Sequence, residues 1–150
     1  MNTMENNLSG YIEAHEHHLP LRVYYSDTDM GGVVYHSRYL DMAEHGRTEL
    51  LRCLGGHQKD LLDEMNMIFV VKSLLIDYKR PALMDDLLHV KTTVTKCERF
   101  TIVFHQEICR GDEILSALDV KVGSISRETG RPVPMPDIIK TELMEVQNIG

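Results

Sequence analysis

A chain of 150 residues with 43% apolar and 26% charged residues is the size of one ordinary domain and can bury a full core. Its formal charge of −7 argues against a nucleic-acid partner, which needs a basic stripe. Cys53, Cys97 and Cys109 lack C-x-x-C spacing and suit reduced thiols better than a disulfide framework or zinc site; no apolar run reaches the length of a membrane span, and a cytoplasmic location is expected.

The first eighteen residues carry acids and no apolar signal region, so residues 1–18 read as a tail and residues 19–150 as a single domain. Within that tail His15, Glu16, His17 and His18 crowd together, but adjacent ligands without a scaffold or a second cluster do not converge, and no metal or other cofactor is expected. Leu21–Ser26 mixes branched and aromatic residues in near alternation, which predicts a strand delivering the chain to Asp27 and Asp29. From Val33 to Leu54 the residues Tyr35, Tyr39, Met42, Ala43, Gly46, Leu50 and Leu54 recur at steps of three and four, and Gly55-Gly56 follows as a C-cap. This predicts a long helix whose apolar stripe covers about half its circumference, as if a sheet curved around it. Gly46 sits near the middle of the stripe, where a glycine makes sense if strand backbone approaches closely. Asp41, His45, Thr48, Glu49 and Arg52 form the solvated face, and Glu44 and Arg47 are spaced to pair at the stripe's edge.

After the linker His57–Asn66, which has room for a helical turn, the pattern changes to period two over Met67–Tyr78, Leu88–Thr95, Phe100–Ile108 and Ile114–Ile125. Two of the breaks, Lys96–Arg99 and Cys109–Glu113, are short enough for hairpins and imply antiparallel neighbours. Three prolines in Ser126–Asp137 close the strand region, and Asp137–Val146 fits a terminal helix. The economical arrangement is α+β, a five-stranded antiparallel sheet wrapped around one long central helix with a C-terminal helix added. Such a layer leaves strand edges open, so a homodimer or homotetramer is expected.

Asp29, just ahead of the predicted helix, has two readings. As a cap it satisfies orphan N–H groups and complements the helix dipole. As a catalyst it attacks a carbonyl or activates water, while Gly31 and Gly32 clear side chains from N–H groups that polarise the carbonyl oxygen. A thioester suits the second reading, because a thiolate leaves easily from a weak nucleophile's adduct. His36 projects at the edge of the stripe beside Tyr35, either to bond substrate or water or to serve as a satisfied interior residue. Asp27 is best placed to stabilise the turn. His89 and His105 fall on predicted strands with no assigned role.

The segment Arg22–Leu51, RVYYSDTDMGGVVYHSRYLDMAEHGRTELL, closely resembles the signature of the 4-hydroxybenzoyl-CoA thioesterase-like hotdog family, and looks most like its branch of acyl-CoA thioesterases associated with the bacterial Tol-Pal system. Tyr78–Leu88, YKRPALMDDLL, extends the likeness. The resemblance implies the hotdog fold and hydrolysis of an acyl-CoA thioester to free acid and coenzyme A. It matches Asp29 to the catalytic nucleophile or general base and His36 to a catalytic histidine, with amides near Gly31 and Gly32 on the carbonyl. Substrate contacts are expected from Tyr35 and from Arg99, which falls near a region that meets coenzyme A phosphates. An acyl carrier protein is an alternative carrier of the acyl group. Two other readings share the fold: a dehydratase acting on hydroxyacyl thioesters, against which D-T-D-x-G-G argues, and a non-enzymatic acyl-carrier or envelope-assembly partner. Met30, Ser37, Arg38 and Gly46 depart from the family pattern and bear on acyl preference.

Overall fold

The computed structural model describes residues 8–55 and 58–147. In chain order these form β1 (Tyr11–Glu13), β2 (Glu16–Arg22), a 3-10 turn at Tyr25–Asp27, α1 (Arg38–Leu54), α2 (Gln58–Met65), β3 (Met67–Tyr78), β4 (Leu87–Cys97), β5 (Thr101–Arg110), β6 (Glu113–Ser126), α3 (Asp137–Leu143) and a 3-10 turn at Met144–Val146. Every strand pairing is antiparallel, in one sheet of order β1-β2-β4-β5-β6-β3.

Strand alternation builds the core. Leu88, Val90 and Val94 on β4, Ile102, Phe104 and Ile108 on β5, and Leu118 and Val120 on β6 are buried on one face. The register that pairs Val90 with Ile108 and Phe104 with Val120 lines them up across the sheet. Against this face lies α1, burying Tyr39, Met42, Ala43, Leu50 and Leu54. This is the hotdog arrangement of an antiparallel sheet wrapped around a central helix, with six strands among the described residues where five were expected.

Helix and sheet meet most closely at Gly46. A Cβ there would come within 2.8 Å of Val90 Cγ1 and 3.1 Å of both Gln106 Nε2 and Thr92 Oγ1. Gln106, fully buried, uses the proximity: its Nε2 donates to Ala43 O (2.8 Å) and to Thr92 Oγ1 (3.0 Å), and its Oε1 accepts from Arg47 Nη1 (2.9 Å). A buried amide is tolerated because its donor and acceptor ends are satisfied.

The expected tail is the main correction. Residues 11–22 form β1 and β2, and β2 pairs with β4 from His17↔Thr92 to Arg22↔Leu87. His17 is fully buried, with Nε2 2.7 Å from Ser9 O and no partner for Nδ1 among the described residues; desolvation pushes its pKa below the usual histidine value. The first strand therefore ends at Arg22 instead of spanning Leu21–Ser26, and a 3-10 turn follows it. The helix starts at Arg38, not Val33, and the linker holds an eight-residue helix. Gly55 does cap α1, its N–H reaching Arg52 O (3.3 Å); residues 1–7 of the expected tail and Gly56 of the expected cap lie outside the described residues.

Replacing Gly46 with alanine gains about 1 kcal/mol of helix propensity but overpacks a wall of β-branched and tethered polar groups, an effect of about 1–3 kcal/mol. The net expectation for Gly46→Ala is a loss near 1 kcal/mol and a fall of about 3 °C in melting temperature. An unchanged or raised melting temperature would show that Val90 and Gln106 can yield.

Candidate active site

The loop between β2 and α1 is zipped from its base to its tip. At the base, Asp27 is buried: its Oδ2 accepts from Tyr24 N (2.9 Å), and its Oδ1 accepts from Arg38 Nε (3.1 Å) and Nη2 (2.8 Å). The Asp27 carbonyl also accepts from Tyr35 N (2.9 Å), so one residue ties together both sides of the loop. Arg38 reaches on to Asp41 Oδ2 (3.2 Å). Higher up, Thr28 bridges Val34, and Asp29 N donates to Val33 O (2.9 Å).

At the tip, Gly32 adopts φ +79°, a left-handed conformation that glycine accepts without strain. This lets Gly32 N return to Asp29 O (3.0 Å), while Gly31 N donates to Asp29 Oδ1 (2.8 Å). Asp29 is exposed, and its Oδ2 has no hydrogen-bond partner among the described residues. The carboxylate is thus oriented through one oxygen and open at the other.

This geometry alters two expectations. The glycines lie in a turn ahead of α1 and not at its first residue, and both of their N–H groups already serve Asp29. Asp29 does not cap the helix either, since Ser37 holds the N-cap position. Asp27 does support the turn.

A second loop, between β3 and β4, braces the first. Val34 N donates to Ala82 O (2.9 Å), Val33 bridges Leu83, and Ala82 N donates to the Tyr39 hydroxyl (3.0 Å). Asp86 anchors this loop, accepting from Leu83 N (2.8 Å) and Arg110 Nη1 (2.6 Å). Burial pushes the Asp86 carboxyl up, but those donors outweigh it and hold its pKa below the usual carboxylate value. The Tyr78 hydroxyl donates to His36 O (2.7 Å), and its ring meets Tyr39 edge-on at 5.5 Å. His36 and Tyr35 are exposed, their rings 4.4 Å apart. Tyr39 and Tyr78 hold the site's backbone, a role periodicity could not show: Tyr39 reads as core stripe and Tyr78 as a strand end.

The structure brings Asp29, Gly31, Gly32, Tyr35 and His36 onto one loop but leaves Arg99 apart. Arg99 lies on the β4–β5 hairpin, over the Phe100 ring at 5.1 Å. The bracing loop enters β4 at Leu87 and the hairpin leaves it at Cys97, so the 11-residue strand separates them by roughly 33 Å at about 3.3 Å per residue. The His15–His18 group also disperses: His17 is buried, while His18 sits 3.2 Å from Glu16 and stacks on Tyr11.

Two hollows flank α1. One of about 400 Å³ is lined by Arg22, Tyr24, Asp27, Arg38, Asp41 and His45 among others, and one of about 510 Å³ lies between the C-terminal half of α1 and the start of β3. Neither is lined by Asp29 or His36.

Comparison with known proteins identifies the family. A family model described as the thioesterase superfamily matches residues 31–117. The chain belongs to the thioesterase superfamily. Within that superfamily it is 48% identical over 121 residues to the acyl-CoA thioesterase YbgC of Haemophilus influenzae, covering 81% of this chain and 89% of that protein. It is 36% identical over 127 residues to the acyl-CoA thioester hydrolase YbgC of Escherichia coli O6:H1, covering 84% and 94%. Among solved structures, a probable thioesterase from Bartonella henselae superposes with a TM-score of 0.76 at 36% identity, covering 81% of this chain and 99% of that one. The superfamily match starts two residues after Asp29, so it carries the fold and not the role of that carboxylate.

Arg38 is the removable member of the base clamp. Arg38→Ala should speed hydrogen exchange at the Asp29, Gly32 and Tyr35 amides by about tenfold, as loss of a charge-assisted bidentate pair frees the loop. Amides of β4–β6 should be unchanged, and Arg38→Lys should fall between. Equal exchange in wild type and Arg38→Ala would assign the loop's order to its backbone bonds alone.

Proposed function

We propose that the chain hydrolyses acyl-CoA thioesters to free acid and coenzyme A, with Asp29 as nucleophile or general base. The observation that carries this reading is a carboxylate held at a loop tip by one N–H and left open on its other oxygen, in a member of the thioesterase superfamily. The names of the Haemophilus and Escherichia relatives support the substrate class.

As nucleophile, Asp29 forms a bond to the thioester carbon, the C–S bond breaks to release coenzyme A as thiolate, and water hydrolyses the resulting anhydride. As general base it takes a proton from the attacking water instead. Both roles require the same carboxylate beside the same carbon. Gly31 and Gly32 leave the tip without side chains, which allows the thioester to lie against it. Because their N–H groups hold Asp29, carbonyl polarisation falls to the positive end of the α1 dipole, where the Arg38 and Leu40 N–H groups themselves donate to Tyr35 O and Ser37 O. His36 bonds substrate or water, and Tyr35 covers it. An acyl carrier protein in place of coenzyme A would present the same thioester.

We infer further that the working form is a homodimer or homotetramer. β3 is a 12-residue strand at the end of the strand order, with Val71 and Leu75 exposed, and a long unprotected edge invites pairing with another copy. A second copy is also the source from which Arg99 can meet coenzyme A phosphates held near Asp29.

Thiol release from a panel of acyl-CoAs should fall on the order of a hundredfold or more in folded Asp29→Asn. Equal turnover by both proteins, or none on any substrate, would remove the catalytic role and leave acyl binding. Light scattering should return a mass at least twice that of the chain, and Leu75→Lys should lower it; a monomer with full turnover would refute the assembled form.

A further inference from the structure

The larger hollow contains a charge that the reaction described above does not use. Arg47 is 9% exposed and lines the cavity of about 510 Å³. Its hydrogen bond goes to a neutral group, Gln106 Oε1 (2.9 Å), and no carboxylate lies within ion-pair distance among the described residues. Glu44, one helical turn away, is turned elsewhere: Oε1 accepts from Thr48 Oγ1 (2.7 Å) and Oε2 lies 3.8 Å from His45 Nε2. Arginine stays charged in proteins, and a buried guanidinium without a counter-charge is costly. Burial accordingly pushes its pKa down, opposed only by the more distant Glu44.

The walls define what can answer that charge. Leu51, Phe69, Ile102, Phe104 and Val122 make an apolar lining. Of the cations on the walls, Arg52 is paired with Glu49 (2.7 Å) and Arg127 with Asp63 (3.5 Å), which leaves Arg47 as the buried charge for a ligand to answer. The volume falls in the ordinary range of small-molecule sites, about 300–1,000 Å³. An apolar body with one anionic end fits both features. A phosphate would leave the apolar lining unused, and a plain alkyl chain would leave Arg47 unpaired.

We propose that this cavity receives the acyl part of the substrate through a carboxylate, and that Arg47 is the specificity-determining group that binds it. The inference rests on the thioesterase reading and goes beyond it in naming the acyl chemistry. The carboxylate has two possible sources: the far end of a dicarboxylic acyl group before hydrolysis, or the acid released by hydrolysis. Gln106 holds Arg47 in place and is itself fixed by Ala43 and Thr92, so the guanidinium is presented with little freedom left to lose on binding.

The test titrates the assembled wild-type protein with valerate, glutarate and the neutral valeramide, following melting temperature and heat of binding. It then repeats the titration with Arg47→Gln and Arg47→Lys. Valerate or glutarate should bind at least about tenfold more tightly than valeramide, Arg47→Gln should erase the difference, and Arg47→Lys should keep part of it. Kinetics separates the sources. A distal carboxylate gives a glutaryl-CoA to valeryl-CoA ratio in kcat/KM of about ten or more that collapses in Arg47→Gln. A released carboxylate gives a ratio near one with valerate inhibition that weakens about tenfold in the variant. Equal binding of valerate and valeramide by wild type overturns the proposal without any variant, as happens if another copy already places a carboxylate on Arg47. Parallel loss on every substrate in folded Arg47→Gln, with the binding difference intact, overturns it too. Absence of thioester turnover in wild type would sink the thioesterase reading while the carboxylate titration still gives its own answer.

Discussion

The close seat of α1 on the sheet at Gly46 is the constraint on which the rest of the molecule depends. Without a side chain there, helix backbone comes near enough for Gln106 to bond Ala43 O across the interface. That single amide fixes how far α1 can slide or roll over β4 and β5, because moving it unsatisfies a buried donor. Everything functional hangs from the helix so placed. Its first residue, Arg38, clamps the loop that carries Asp29; its first core residue, Tyr39, holds the bracing loop through Ala82; and Arg47, one residue after the glycine, is set against the cavity.

The central helix and the four long strands were legible because burial imposes a period. An α-helix lying on a sheet repeats at three and four, a strand with one buried face repeats at two, and both patterns survive over ten or more residues in α1 and β3–β6. Short elements escaped for local reasons. The turn between β1 and β2 uses Ala14 at φ 51° and His15 at φ 64°, a left-handed pair that Asn-Gly would have announced, and the four-residue cluster around it looked like a solvated tail. The start of α1 was misplaced because Val33, Val34 and Tyr35 continue its apolar spacing, although their backbone is spent on Asp29, Ala82 and Asp27. Hydrogen bonds to a distant loop leave no trace in periodicity.

The site shows the same division. Asp29, Gly31 and Gly32 were found together because a tight turn demands particular residue types at fixed spacing, and that demand is local. The role of the glycines was not legible: the sequence suggests free N–H groups, whereas the fold bends them back onto Asp29. Arg47 was read as half of a pair with Glu44 at the edge of the stripe, since a three-residue step on a helix suggests one. What removes it from that pairing is Gln106, 59 residues away on β5. A polar residue on an otherwise apolar strand face was the available signal, and it points to burial only once the facing helix is known.

Separation within one chain joins the questions of assembly and catalysis. The Asp29 loop is tied through His36 to Tyr78, the last residue of β3, while Ile68 and Phe69, near its first residue, line the cavity. At about 3.3 Å per residue the seven to ten residues from Tyr78 back to the lining residues Val71 to Ile68 span roughly 23–33 Å along the strand, longer than a short acyl group such as glutaryl. A two-fold pairing of β3 edges is antiparallel, and it would lay the Tyr78 end of one copy beside the Met67 end of the other. The same operation that covers the exposed edge would then bring one copy's carboxylate toward the other copy's cavity. If that pairing forms, assembly would act on catalysis through proximity as well as through stability.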